Sequence, residues 1–253
     1  MSNIEYSFLL TTFAGLSTML GAMLIFFKVK NSNIIICKSL AFAAGVMVTI
    51  SITDLIPASL FGFLNKYYLF PSILLSLIFI ILGIIISILI KKYIPDLDSN
   101  DIKNKSLFKI GIISMIAIIL HNIPEGIATF MTSTKNITLG LSLAIAITLH
   151  NIPEGISIAI PIYYSTKSKF KALMYTFISG ISELIGAIIA YLFLAPYMNE
   201  FVMSVLMALI AGIMISISIY ELIPASLKYK SLKDTLKFFF IGVVFMGVCH
   251  IFV

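Results

Sequence analysis

Two copies of the hexapeptide His-Asn-Ile-Pro-Glu-Gly, at residues 121–126 and 150–155, hold the residues best suited to chemistry in this sequence. Their surroundings match as well: residues 116–127 (IAIILHNIPEGI) and 145–156 (IAITLHNIPEGI) agree at eleven of twelve positions, at an offset of 29. On an α-helix each residue advances by about 100°, so the Glu falls between the His and the Asn on one face. Two such faces packed together bring His121, Asn122 and Glu125 against His150, Asn151 and Glu154. The result is a mixed nitrogen and oxygen donor set without sulfur, which suits Zn²⁺, Fe²⁺, Mn²⁺ or Co²⁺ and argues against a soft Cu(I) site. Each Glu neighbours both other donors, so Glu125 and Glu154 can bridge one ion held by His to a second held by Asn. Glu183, another carboxylate within an apolar run, can complete the second site. Three carboxylates against two divalent ions leave one residual positive charge, far cheaper in low dielectric than either set alone.

The same motif carries two backbone devices. Pro124 and Pro153 each lack an N–H and oppose the carbonyl four residues earlier, at Leu120 and Leu149. They are expected to interrupt their helices and free those carbonyls toward the site, which a membrane tolerates only where protein or a wet cavity satisfies them. Gly126 and Gly155 are expected to let neighbouring helices approach closely.

Such residues must be positioned inside a bilayer. Of 253 residues 60% are hydrophobic and 11% charged, with mean hydropathy +1.11, against roughly 25% charged for a soluble domain. Apolar runs near the roughly 20 residues needed to span a bilayer lie at about 6–27, 37–60, 70–90, 107–131, 137–161, 172–194, 200–223 and 236–253. The fold expected is therefore an all-α integral membrane protein of eight helices, with the first retained rather than cleaved as a signal peptide. All seventeen basic residues are Lys. Fifteen fall in or beside the first, third, fifth and seventh loops, and only Lys66 and Lys135 fall in the even ones. The net charge of +6 is thus read as topology and not as a nucleic-acid surface: odd loops in the cytoplasm, both termini outside. The longest polar stretch, about 91–109, mixes Lys with Asp96, Asp98 and Asp101 and is expected to be a solvated loop. Cys37 and Cys249 are given no role.

Repeats extend beyond the motif. Residues 41–60 (AFAAGVMVTISITDLIPASL) align without a gap with 208–227 (ALIAGIMISISIYELIPASL), Asp54 answering Glu221, and Gly15, Ser17, Gly21 and Ala22 echo Gly180, Ser182, Gly186 and Ala187. In each pairing the two copies start from opposite faces. The chain therefore reads as one transmembrane transporter domain: inverted repeats at about 6–90 and 172–253, with central helices 107–131 and 137–161 between them, in a 3+2+3 arrangement. Inverted repeats of this kind place a substrate site near the bilayer midplane. Asp54 and Glu221, three residues before a Pro near helix ends, are expected at the external and cytoplasmic mouths of the pathway. Carboxylates at such depth are functional candidates by default. Met residues are expected to pack, with Met47 kept as a candidate thioether ligand. His250 has no acidic neighbour and is expected to be structural or interfacial.

The two HNIPEG motifs, the ISELIG stretch around Glu183, AAGVM in the second helix and the eight-helix length together resemble the ZIP family of metal transporters, bacterial members in particular, over essentially the whole chain. The resemblance implies a frequently dimeric bundle in the cell membrane that moves Zn²⁺, and often Fe²⁺, Mn²⁺, Co²⁺ or Cd²⁺, into the cytoplasm. The metal is then a transported substrate and no cofactor is called for. It also implies ligands at His121, Asn122, Glu125, His150, Asn151, Glu154 and Glu183, with Met47 less firmly attached. Residues 91–109 lack the His-rich loop that many members carry. A competing class is an intramembrane metal-dependent hydrolase, but the sequence has neither the HExxH of a zincin nor the Glu-x-x-His spacing of di-iron bundles. A metal sensor or structural membrane protein leaves unexplained why inverted repeats converge on the ligands.

Overall fold

The computed structural model describes residues 2–27, 31–93, 104–194 and 199–250. All regular structure among them is helical. Seven helices are long and apolar enough to cross a membrane: α1 (Asn3–Phe26), α2 (Ser32–Leu64), α3 (Leu69–Tyr93), α4 (Lys105–Lys135), α5 (Ile137–Thr166), α6 (Lys169–Phe193) and α7 (Glu200–Leu227). An eighth, α8 (Leu232–Cys249), has 18 residues but carries Lys233, Asp234 and Lys237 in its first two turns. Most helices begin a few residues before the apolar runs do. The reason is capping: Asn31, Asn104, Ser168 and Ser231 each accept a hydrogen bond from a first-turn N–H, so polar residues extend the helix past the apolar stretch. Between α4 and α5 a single residue, Asn136, ends one helix and caps the next. Lys28, Lys30, Lys103, Asp96, Asp98 and Asp101 lie outside the described residues, as does most of the 91–109 loop.

Interruptions occur, but not at Pro124 and Pro153, where they are expected; two of them immediately precede Pro57 and Pro224. α4 runs unbroken through Pro124 and α5 through Pro153 and Pro161. A proline deletes one hydrogen bond and leaves the rest of the ladder intact, and packing on several sides holds the helix together. The irregular turns lie instead in the flanking helices. α1 breaks at Ser17, whose hydroxyl donates to the carbonyls of Ala14 (2.5 Å) and of Thr148 on α5 (3.3 Å). α2 and α7 each widen into a π-turn, at Ser51–Leu55 and Ser218–Leu222, and these turns hold the repeat-related Asp54 and Glu221.

Packing follows a pseudo-two-fold pattern. α4 and α5 pack against each other at the centre, α1 lies on α5 as α6 lies on α4, and α2 lies on α8 as α7 lies on α3. Close backbone approaches repeat in the same way. A Cβ on Gly126 would overlap the Glu183 carbonyl of α6, and one on Gly155 would overlap the Thr18 carbonyl of α1. In the outer pairs a Cβ on Gly242 of α8 would overlap the Phe42 carbonyl of α2, and one on Gly83 of α3 the Leu209 carbonyl of α7. Small residues at these crossings permit backbone contact that a bilayer does not otherwise drive. α3 turns Leu74, Leu77, Ile81, Ile85 and Ile88 outward, a face suited to lipid.

Candidate metal centre

The two motifs meet at the α4–α5 contact. His121 and His150 rings stand 5.9 Å apart between centroids. Glu125 Oε1 lies 2.9 Å from His150 Nε2 and 3.1 Å from His121 Nε2, and Glu154 Oε1 lies 3.4 Å from His121 Nε2. Single donor atoms of His121, His150 and Glu154 fall within 4.8 Å of one another, close enough to share one cation. All of these residues are buried, as are Asn122, Asn151 and Glu183. The helical spacing accounts for the intrahelical His121–Glu125 approach, and the Gly126 and Gly155 contacts bring α6 and α1 against it.

Glu183 reaches the second part of the cluster. Asn151 Nδ2 donates to Glu183 Oε2 (2.9 Å) and to the Ala14 carbonyl of α1 (3.0 Å), while Asn122 Nδ2 donates to the Ser179 carbonyl of α6 (3.1 Å). Carbonyl oxygens only accept, so both amides are fixed with their NH₂ groups engaged. Their Oδ1 atoms are left as free acceptors.

Those acceptors belong to a larger deficit. Among the described residues twelve buried side-chain polar atoms have no hydrogen-bond partner, and eight of them sit on His121, Asn122, Glu125, Asn151, Glu154 and Glu183. Buried polar groups are ordinarily satisfied, and each one left bare costs about 1–3 kcal/mol. So many bare oxygens in one place, on three carboxylates and two amides, are what a cation bound by direct coordination would satisfy.

The other residues singled out from the sequence make contacts of their own. Met47 is fully buried in the main apolar core. Glu221 is bonded to Lys91 at the end of α3, at 2.6 Å. Asp54 accepts from, or is paired with, His250 Nε2 at 2.8 Å. The expectation that His250 has no acidic neighbour is therefore wrong: its partner is 196 residues away in sequence and arrives only because α8 packs on α2. Reasoning from sequence also missed the Ala14 and Ser179 carbonyls, which orient the amides. Backbone groups leave no residue-type signal, although Ser179 stands one turn before Glu183. Cys37 and Cys249 are both free and buried; Ser226 donates to the Cys37 carbonyl at 3.0 Å, tying α7 to α2.

A cavity of about 410 Å³ is lined both by Asp54 and His250 and by Glu125 and His150, with Met207 and Met246 also on its wall. The central cluster is thus joined by open space to one repeat-related carboxylate. A separate cavity of about 700 Å³ surrounds Glu221 together with Lys91, Lys105, Lys109 and Lys228, and neither His nor Glu of the central cluster is among the residues that line it.

Comparison with known proteins agrees with this arrangement. Residues 96–250 match the model of the family described as ZIP Zinc transporter. The chain is 36% identical to a zinc transporter ZupT of Clostridium perfringens, covering 98% of this chain and 96% of that protein. It is 39% identical to a zinc transporter ZupT of Campylobacter jejuni, over 97% and 95% of the two chains. A third relative, the zinc transporter ZupT of Salmonella heidelberg, is 38% identical over 85% of this chain and 84% of that protein. This chain belongs to the ZIP family of zinc transporters.

Proposed function

We propose that this protein carries divalent metal ions, Zn²⁺ foremost and Fe²⁺, Mn²⁺, Co²⁺ and Cd²⁺ as further substrates, across the cell membrane into the cytoplasm. The observation that carries the reading is the concentration of unsatisfied buried oxygens on two facing copies of one motif. His121, Glu125, His150 and Glu154 hold one ion, and Asn122, Asn151 and Glu183 hold a second through the two bridging carboxylates. Met47 is the candidate thioether ligand. The whole chain acts as a single transporter domain, its repeats at about 6–90 and 172–253 flanking the two motif helices. Lys placement supports both termini outside, and the unit is taken to be a homodimer. A metal-dependent hydrolase is set aside, since the matched relatives are described as zinc transporters.

Asp54 lies at the external mouth and Glu221 at the cytoplasmic one, where each concentrates or receives cations by electrostatic attraction that weakens as salt rises. Asp54→Asn should raise the half-saturating external metal concentration, most of all at low ionic strength, and leave maximal uptake mostly intact. Glu221→Gln should chiefly lower maximal uptake. A change in maximal uptake alone on Asp54→Asn would remove its role at the mouth.

Uptake should also depend on pH. An imidazole must be neutral to bind metal, so protons compete with the ion at His121 and His150. Measured in de-energised vesicles, uptake should fall as external pH is lowered. A steady increase from neutral to acid pH would show that proton competition at these ligands does not control the rate.

A further inference from the structure

We propose that Asp54 and His250 form a further metal-binding site of this protein outside the central cluster, a carboxylate–imidazole pair at the pathway's mouth that binds a divalent ion ahead of that cluster. The proposal deepens the transport reading and rests on it.

The geometry is that of a ligand pair. His250 Nε2 and Asp54 Oδ2 lie 2.8 Å apart, with side chains 30% and 43% exposed, so water can reach both and a cation can displace the contact between them. Both line the cavity that also reaches Glu125 and His150, and Met246, one turn before His250 on α8, lines it too. An ion released from the pair therefore has open space before it rather than packed side chains. Nitrogen, carboxylate oxygen and water are donors for the same borderline divalent ions that the central cluster suits.

The pseudo-two-fold pattern supplies an internal comparison. His250 follows Gly242 by eight residues, as Lys91 follows Gly83, and both glycines make the same kind of backbone approach to the neighbouring helix. Asp54 and Glu221 stand at the same place in the two π-turns. The Asp54–His250 and Glu221–Lys91 pairs are therefore copies of one device on opposite halves of the molecule. They differ in one respect that matters chemically. A lysine ammonium has three donors and no lone pair, so Lys91 can only compete with a cation for Glu221, whereas an imidazole can join the carboxylate in holding one. Metal is thus bound at one mouth and displaced at the other, which favours capture on the Asp54 side and release on the Glu221 side.

The test separates binding at the mouth from transport. Full-length protein carrying Glu125→Gln and Glu154→Gln, reconstituted in lipid nanodiscs, is titrated with Co²⁺ by visible absorption and with Zn²⁺ by calorimetry. One weak site per chain should remain, and adding either Asp54→Asn or His250→Gln should remove it; His250→Gln keeps a hydrogen-bond donor for Asp54 but lacks the imidazole. In proteoliposomes of the otherwise native protein, His250→Gln should raise the half-saturating Zn²⁺ concentration severalfold with maximal uptake little changed, and the effect should persist at high salt because a donor atom is lost. Thermal unfolding of each variant checks the fold, and His250→Asn serves as the second substitution if Gln lowers the melting midpoint. Residual binding that survives both His250 substitutions, or an unchanged half-saturating concentration, overturns the site. Native protein that binds metal but never moves it would sink the transport reading instead, and the titration would still decide the mouth site.

Discussion

Zn²⁺ uptake into proteoliposomes should fall roughly a hundredfold in Glu125→Gln, and by as much in Glu154→Gln, the equivalent of about 3 kcal/mol for breaking a buried charge pairing by removing one partner. Glu125 already lies within 3.1 Å of both imidazoles, and Glu154 is fully buried with neither oxygen hydrogen-bonded. Replacing either carboxylate by an amide keeps the volume and removes the charge on which a divalent ion depends. Asn122→Ala and Glu183→Gln should behave differently, with reduced transport and altered metal preference, because the proposed assignment gives those residues only the second position. Uptake near the native level in either motif-Glu variant, in protein of normal yield, would take the central role away from that pair.

An equally large effect is expected from a single methyl group in the wrong place. In Gly126→Ala the new Cβ would overlap the Glu183 carbonyl, and in Gly155→Ala the Thr18 carbonyl. The obstacle in each case is backbone, which cannot rotate aside as a side chain can, so α6 must move away from α4, or α1 from α5. Overpacking costs about 1–3 kcal/mol where side chains can adjust, and here the displaced segments carry Glu183 and the Ala14 carbonyl that orients Asn151. Both variants should lose several degrees of melting midpoint in detergent and transport at background level. Gly247→Ala is the control, because nothing lies within 4 Å of the Cβ it would add; it should match the native protein. Native transport in Gly126→Ala would mean that the α4–α6 spacing is not fixed by this contact.

Much of this was legible in the sequence, for identifiable reasons. The eight helices and their approximate limits follow from apolar runs, since bilayer thickness sets a length that composition reveals. That His121, Glu125, His150 and Glu154 meet at the centre follows from the duplicated hexapeptide, because i,i+4 spacing puts His121 and Glu125 on one face regardless of the surroundings. Glu183 was legible only as an acid in an apolar run, and its link to Asn151 needed α6 to be packed. Helix irregularity was only partly legible: a proline marks a lost hydrogen bond and says nothing of whether neighbours hold the helix straight, so the helices run unbroken through Pro124 and Pro153 while π-turns precede Pro57 and Pro224. The His250–Asp54 and Lys91–Glu221 pairs were hidden because each joins two helices that only the packed bundle brings together.

Metal flux through purified native protein in sealed proteoliposomes tests the transport role most directly, followed with a fluorescent indicator inside and Zn²⁺, Fe²⁺, Mn²⁺, Co²⁺ or Cd²⁺ outside. Saturable Zn²⁺ entry is expected, accompanied by flux of some of the other ions and reduced to background by Glu125→Gln. Folded native protein that binds Zn²⁺ at the cluster and yields no flux above protein-free vesicles would contradict it.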